Sequence, residues 1–301
     1  MHCLKLHRLK MNTELVNRYM NYSDKVTRAV KRCGSVLCLG LDPVPENIPV
    51  EIKESTSSTT EAVYQFCREI IQLTSEYIAA IKLNSAYFEA LGPDGYQILA
   101  DLQNHIPEEV VSIIDAKRGD VPHTASRYKV AYFDNLGYDA ITLSPLLGND
   151  SLLPFLEDPK KACYILALTS NSGATDYFTQ TMQSGITLSE YIARQMNELS
   201  ANVIGEVGLV IGATHSNYPD RLFHEFAGGH ILTPGIGAQQ ADTKNFISTM
   251  NKNKCKTLIP VSRGIMESHI NRDVIWRDEV LSSTRQFNNL FQSLAEYHGE
   301  T

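Results

Sequence analysis

The stretch VVSIIDAKRGD, residues 110–120, joins a nearly uninterrupted apolar run to a cluster of four charged side chains. An apolar run without the alternation of a half-exposed sheet is typical of a parallel strand that is buried on both faces. Burying unpaired charge costs free energy, so the charges that follow must neutralise one another or serve a site. The stretch therefore predicts a buried strand over residues 110–117 that ends at a functional site.

Seven further β-rich runs also end in Gly, Pro, Ser, Asn or a charged residue. Together they predict eight strands, at residues 36–42, 78–84, 110–117, 139–145, 163–170, 207–213, 230–236 and 257–263. Eight such strands alternating with helices predict a closed (β/α)8 TIM barrel. A doubly wound open sheet is the alternative architecture, and the count of eight favours closure.

Segments with helical periodicity lie between the strands. The clearest begins with Ser58-Thr59-Thr60-Glu61, a capping-box pattern, and continues with apolar residues three and four apart as far as Ile71. Further helices are expected at residues 12–33, 96–104, 124–136, 188–203, 242–251 and 273–298, with shorter ones near 152–156 and 218–226. No linker or repeat divides the chain. We therefore expect one barrel domain over residues 1–301, of which residues 1–35 form an N-terminal helical extension.

Composition excludes several classes of partner. The 27 Lys and Arg against 34 Asp and Glu give a formal charge of −7, and no long basic block suggests a nucleic-acid surface. The six cysteines are scattered without a CxxC pair, which favours a reduced compartment. Neither a signal-peptide core nor an apolar run of 18 residues is found. We expect a cytoplasmic protein that binds neither nucleic acid nor a membrane.

Polar side chains collect at the predicted strand ends, where catalytic groups of such barrels lie. Side chains alternate along a strand, so Lys82 shares a face with Asn84, and Asp115 shares one with Lys117. Gly119 allows a turn after which Asp120 can reach another loop or another subunit. An ion network that merely closes the barrel is the structural alternative, but convergence on one rim favours a site. The polar strand-end residues are Asp42, Lys82, Asn84, Asp115, Lys117, Ser170 and Arg263.

The seventh and eighth strands run into segments suited to phosphate. Thr233-Pro234-Gly235-Ile236-Gly237-Ala238-Gln239 contains glycines that let backbone N–H groups approach an anion. Arg263, followed by Gly264, can hold a phosphate through two hydrogen bonds. Because loops after strands seven and eight are the usual phosphate site of barrel enzymes, we expect a phosphate-bearing ligand here.

These motifs together resemble the orotidine 5′-phosphate decarboxylase family, in its longer bacterial and protozoal form. DAKRGDV with Thr124 matches the family's DxKxxD signature and the threonine after it. Five further segments resemble the family's strands one, two, five, seven and eight: GLDP at 40–43, IKLNSAYFEALGP at 81–93, LTSN at 168–171, PGIGAQ at 234–239 and SRGI at 262–265.

The resemblance implies conversion of orotidine 5′-monophosphate to UMP and CO2 with neither cofactor nor metal. It implies a homodimer in which Asp120 and Thr124 enter the neighbouring subunit's site. Four residues would form the charged catalytic tetrad, namely Lys82, Asp115, Lys117 and Asp120. Substrate would be bound by Asp42, Asn84, Thr124, Ser170, Pro234, Gly235, Gly237, Gln239 and Arg263.

Two residues depart from the family's usual pattern, in which glycine often stands at the positions of Pro122 and Ser262. Pro122 suits the first turn of a helix, so little harm is expected from it.

Three alternative functions remain open at this stage. A Mg2+-dependent decarboxylase or aldolase of the same phosphosugar barrel superfamily would share DxKxxD. A Schiff-base aldolase would need a neutral Lys82 or Lys117, which neighbouring carboxylates disfavour. A non-catalytic barrel that binds a nucleotide is the third.

Overall fold

A computed structural model describes residues 20–214, 220–236 and 243–299. Its eight strands are all parallel, and each pairs with the next along the chain. The first strand also pairs with the eighth, so the sheet closes. The predicted (β/α)8 barrel is confirmed. Its strands are β1 (Leu37–Leu41), β2 (Ala80–Asn84), β3 (Val111–Arg118), β4 (Ala140–Leu143), β5 (Ala162–Leu168), β6 (Glu206–Ile211), β7 (His230–Leu232) and β8 (Lys256–Val261).

Several strands end earlier than predicted. The clearest case is β7, which stops at Leu232 although the apolar run continues to Ile236. Pro234 has no N–H to donate to a sheet, and Gly235 has a φ of +108°, a conformation that favours glycine. The segment after β7 is thus a turn at the carboxyl-terminal face of the barrel, where a ligand can approach the backbone.

Helices surround the barrel in the predicted alternation. They are α1 (Tyr22–Cys33), α2 (Val50–Ser55), α3 (Thr59–Thr74), α4 (Ser85–Glu89), α5 (Pro93–Gln103), α6 (Pro122–Lys129), α7 (Leu188–Ser200), α8 (Asp220–Glu225), α9 (Thr243–Lys252), α10 (Arg263–Met266) and α11 (Trp276–Leu290). Two predicted helices are not continuous, because α6 passes into a π-helical segment, Val130–Asn135, and α11 is followed by a 3-10 segment, Gln292–His298. The expected helix near 152–156 is a 3-10 turn, Leu153–Phe155.

Helix termini follow the predicted capping chemistry with one difference. The Ser58 hydroxyl accepts a hydrogen bond from the Glu61 N–H. The Glu61 carboxylate, however, accepts from the N–H and hydroxyl of Ser57 rather than from the N–H of Ser58. The capping box predicted at α3 is therefore only half formed, because the Glu61 side chain binds Ser57 instead of the N–H of Ser58.

The N-terminal extension covers the amino-terminal end of the barrel with α1. Asn21 caps this helix, which therefore begins at Tyr22 rather than at residue 12; residues 12–19 lie outside the described ranges. The Tyr22 hydroxyl lies 3.0 Å from that of Tyr164 in β5, and Lys25 Nζ lies 2.7 Å from an Asp139 carboxylate oxygen beside β4. α1 thus packs against the end of the barrel opposite the charged residues.

Two buried histidines lie at this closed end. The Ser23 hydroxyl is 3.0 Å from His230 Nε2, and the His298 Nε2 donates to the Thr257 carbonyl at 3.0 Å. Burial lowers the pKa of both rings, that of His298 to about 4. Both imidazoles are therefore neutral in the folded protein near neutral pH.

We expect acid to destabilise the fold through His298. Its pKa is near 6.5 when unfolded and about 4 when folded, so the unfolded chain binds more protons between these values. The stability from His298 is present above pH 6.5 and is lost as pH falls towards 4. Urea titrations of the parent and of His298→Gln should show the variant losing roughly 2 kcal/mol less between pH 7.5 and 5. His105→Gln, at an exposed ring, is the control and should follow the parent; equal losses in parent and His298→Gln would contradict the assignment.

Across the described ranges, no helix is both long and apolar enough to cross a membrane.

Candidate active site

The charged cluster of residues 115–120 contributes to a row of ions at the carboxyl-terminal face of the barrel. Asp115 lies at its centre, with one carboxylate oxygen 2.8 Å from Lys82 Nζ and the other 2.6 Å from Lys117 Nζ. Asp42, just after β1, lies on the far side of Lys82 at 4.0 Å. The order Asp42, Lys82, Asp115, Lys117 alternates in charge, so each buried ion has an opposite neighbour.

This pairing overcomes the cost of burial. Burial alone would raise the pKa of Asp115 and lower that of Lys82. The Lys82 and Lys117 ammonium groups instead hold the pKa of Asp115 below its usual range, while Asp115 and Asp42 raise the pKa of Lys82. At neutral pH Asp115 and Lys82 are therefore both ionised, and Lys82 is a poor nucleophile.

Lys117 reaches this position through an irregularity in β3. Pairing with β4 passes from Ile114 opposite Ile141 to Arg118 opposite Leu143, so β3 contains two extra residues there. Lys117 has a φ of +46°, which is uncommon for a residue with a side chain. Bulges of this kind re-aim side chains beside active sites. Simple alternation placed Asp115 and Lys117 on one face, but their contact depends on this bulge.

Thr142 of β4 supports the bulge and was not predicted. Its hydroxyl donates to Asp115 at 2.8 Å and accepts from the Lys117 N–H at 3.0 Å. The only sequence signal was a polar residue in an otherwise apolar run. The contact holds Asp115 and the backbone of Lys117 in one arrangement.

Arg118, the third charge of the cluster, faces away from this row. Its guanidinium forms an ion pair with Glu89 at 2.5 Å and donates a hydrogen bond to the Tyr132 hydroxyl at 2.8 Å. Arg118 therefore joins β3 to neighbouring helices.

Asp120 and Thr124 lie apart from the row within one chain. Asp120 accepts a hydrogen bond from the Val121 N–H at 2.8 Å, and no lysine or arginine of the described ranges lies within 4.0 Å of it. Thr124 lies in the first turn of α6, which begins at Pro122, two residues before the predicted start, with the proline in its first turn as expected.

A cavity of about 150 Å3 opens beside Lys82 and Asp42. Ser170, Pro234, Gly235 and Arg263, all predicted site residues, also line it, together with Gly40, Ile236, Pro260 and Ser262. One Asp42 carboxylate oxygen is buried and accepts no hydrogen bond from the described residues. Arg263 is exposed at the rim and makes no ion pair with the described residues. The lining of the cavity thus includes a hydrogen-bond acceptor, an ammonium and a guanidinium.

Besides Thr124, three further predicted binding residues are not placed in this cavity. Asn84 ends β2 as expected, but it does not line the cavity; its side-chain oxygen accepts from the Ala86 N–H at the start of α4. Gly237 and Gln239 lie outside the described residues.

A larger cavity of about 590 Å3 lies at the opposite end, near the starts of β7 and β8. Arg221, Lys252, Lys254 and Lys256 are among its lining residues, and no predicted site residue is. Volume alone therefore does not identify the site. Within the part of the chain that the structure describes, no three His, Cys, Asp or Glu side chains are grouped so that they could hold a metal ion.

Comparison with known proteins gives one consistent family. The family described as orotidine 5′-phosphate decarboxylase / HUMPS matches residues 35–277. A protein of Dehalococcoides mccartyi named orotidine 5′-phosphate decarboxylase is 38% identical over 251 residues, 82% of this chain and 89% of the relative. One of the same name from Rhodopirellula baltica is 33% identical over 297 residues, 89% of this chain and 98% of the relative. The solved structure of Leishmania donovani OMP decarboxylase has a TM-score of 0.74 at 29% identity, covering 94% of this chain and 100% of that one.

Proposed function

This chain belongs to the orotidine 5′-phosphate decarboxylase family, and from that premise we propose that it converts orotidine 5′-monophosphate to UMP and CO2. The observation that carries the proposal is the row Lys82, Asp115, Lys117 together with a cavity that both Lys82 and Arg263 line. The named relatives do not favour the magnesium-dependent or non-catalytic alternatives.

Lys117 is the proposed proton donor. Loss of CO2 breaks the bond from C6 to the carboxylate and leaves the electron pair on C6, where no adjacent carbonyl or imine can delocalise it. A nearby ammonium stabilises this developing charge and then transfers a proton to C6, which leaves a neutral amine and UMP. The half-exposed Lys117 side chain, whose ammonium is paired with Asp115, can supply both the positive charge and the proton.

The remaining residues are proposed to bind substrate. Asp42 and Lys82 suit the ribose hydroxyls, because one offers a carboxylate oxygen that accepts no hydrogen bond from the described residues and the other an ammonium. Ser170 suits the pyrimidine edge. The phosphate would lie against Arg263, the backbone of Pro234, Gly235 and Gly237, and Gln239; Asn84 is kept as a binding residue that would have to release its contact with α4.

We also propose a homodimer with shared sites. Within one chain Lys117 contacts only one acid, and Asp120 has no cationic neighbour among the described residues. Val121, next to Asp120, has an exposed apolar side chain, and so do Leu146 and Leu147, the second of which lies close to Gly119. Exposed apolar side chains of this kind suit contact with a partner. A second copy could place its Asp120 and Thr124 beside this chain's Lys117. Sedimentation of a monomer at micromolar concentration would contradict this.

We propose a single barrel domain, a cytoplasmic location and catalysis without cofactor or metal. A Schiff-base route is disfavoured because Asp115 and Asp42 keep Lys82 protonated.

The test follows the fall in ultraviolet absorbance as orotidine 5′-monophosphate is consumed, with and without EDTA. We expect equal rates in both, because the proposed chemistry uses a fixed ammonium as its electrostatic catalyst. Loss of the rate in EDTA, restored by Mg2+, would favour the magnesium-dependent alternative. Tight UMP binding without turnover would favour the non-catalytic one.

A further inference from the structure

We propose that the Ser262 hydroxyl donates a hydrogen bond to a phosphate oxygen of the substrate. The inference rests on the proposed function and adds a ligand to it. Ser262 lies between the end of β8 and Arg263, and it lines the same cavity as Arg263, Gly235 and Asp42.

The fold makes room for this side chain. A Cβ added to Gly40 of β1 would lie 2.8 Å from the Ser262 Cβ, closer than real Cβ contacts come. Glycine at position 40 therefore lets the Ser262 Cβ lie directly against β1. Gly40 is also the register partner of Lys82, so Ser262 is held beside the row of charges.

Among the residues that the structure describes, none is hydrogen-bonded to the Ser262 hydroxyl. Its oxygen is buried and makes no hydrogen bond, and it does not cap α10, although it immediately precedes that helix. Buried hydroxyl groups are normally paired, since an unpaired one costs free energy. Rotation about a single side-chain bond moves the hydroxyl between staggered positions, which can turn it towards the cavity that its residue lines.

Position favours phosphate over ribose as the ligand of this hydroxyl. The next residue along the chain is Arg263, whose guanidinium is exposed at the rim of the cavity. Gly235, which has a positive φ of +108°, lines the same cavity. Phosphate oxygens accept hydrogen bonds and carry charge, so a hydroxyl donor there makes a charge-assisted bond.

The test compares the binding of UMP and uridine to the whole protein by calorimetry, in the parent and in Ser262→Ala. Alanine keeps the Cβ against Gly40 and removes only the hydroxyl. We expect the Kd for UMP to rise roughly tenfold or more, as for a lost hydrogen bond to a charged group, and that for uridine to change by less than about twofold. Ser268→Ala is the matched control, because its hydroxyl already donates to the Ile265 carbonyl at 2.8 Å. It should bind UMP like the parent.

Two results would overturn the inference. One is a UMP affinity of Ser262→Ala equal to that of the parent; the other is an equal loss for UMP and uridine, which would place the contact on the nucleoside or indicate damage to the fold. If the parent itself bound no UMP and consumed no orotidine 5′-monophosphate, the proposed function would fail first, and this inference with it.

Discussion

Lys117→Ala is expected to lower kcat for orotidine 5′-monophosphate by at least roughly 1,000-fold. The substitution removes both the proton donor and the positive charge next to C6, and each of these effects alone is commonly worth about 100-fold or more. Two unit charges about 4 Å apart interact by roughly 4 kcal/mol at an effective dielectric near 20, a scale that permits such a loss. Turnover is measured by the absorbance assay. Near-normal UMP production by the variant would refute the role of Lys117.

The controls for this variant address the backbone and the fold. Lys117 has a φ of +46°, and asparagine adopts this region more readily than alanine. Lys117→Asn should therefore be as inactive as Lys117→Ala, with any strain from the backbone reduced. Lys160→Ala removes an exposed lysine at the other end of the barrel and should retain full activity. The thermal unfolding midpoint of Lys117→Ala should differ little from that of the parent, because the Lys117 side chain is 49% exposed.

Mixing two inactive variants tests whether Asp120 acts across the dimer. In a hybrid of Lys117→Ala with Asp120→Asn, one of the two sites would combine a native Lys117 with a native Asp120. Random exchange makes half of the dimers hybrids, so about a quarter of parent activity should return. If Asp120 acted within its own chain, no activity would return.

Arg263→Ala is expected to weaken UMP binding roughly 100-fold while leaving uridine binding nearly unchanged. A guanidinium that holds a phosphate through two charge-assisted hydrogen bonds contributes about this much. Arg263 is available for the role, because it lines the cavity and forms no ion pair with the described residues. Calorimetric titration of both ligands measures the difference.

Conservative and remote variants refine this result. Arg263→Lys keeps the charge but loses the planar pair of donors, so its UMP affinity should lie between those of the parent and Arg263→Ala. Arg285→Ala removes an arginine that contacts the Tyr77 hydroxyl instead and should bind UMP normally. Parent-like UMP binding by Arg263→Ala would show that the phosphate site is misplaced.

Much of the fold was predictable because its signals are local. Eight apolar runs between amphipathic segments predict eight buried strands, and each such strand is present, although β7 ends four residues before its apolar run does. The proline and glycine at 234 and 235 predict a phosphate loop, and in the structure they also follow the early end of the strand. Helix ends were less predictable: the continuous helix expected over residues 124–136 changes to a π-helical segment at Val130.

The strand-end positions of the candidate site residues were predictable, whereas their contacts were only partly so. Sequence order placed Asp42, Lys82, Asp115, Lys117, Ser170 and Arg263 at strand ends, and the structure places them at one face. Alternation along β2 suggested that Asn84 would share the face of Lys82, whereas its side chain caps α4 instead. Thr142 and Ser262 gave too weak a local signal, since a single hydroxyl in a strand or loop is common.

By itself, the sequence determined that eight buried strands would carry their charges at one end, because periodicity and strand termination depend on neighbouring residues. Only the tertiary structure decided which charges meet. Asp115 lies between two lysines because β2 is in register with β3 and because β3 bulges against β4, and Arg118 is turned away by the same bulge. Such contacts join residues far apart in the chain, so their geometry follows from strand pairing and packing, which no local pattern encodes.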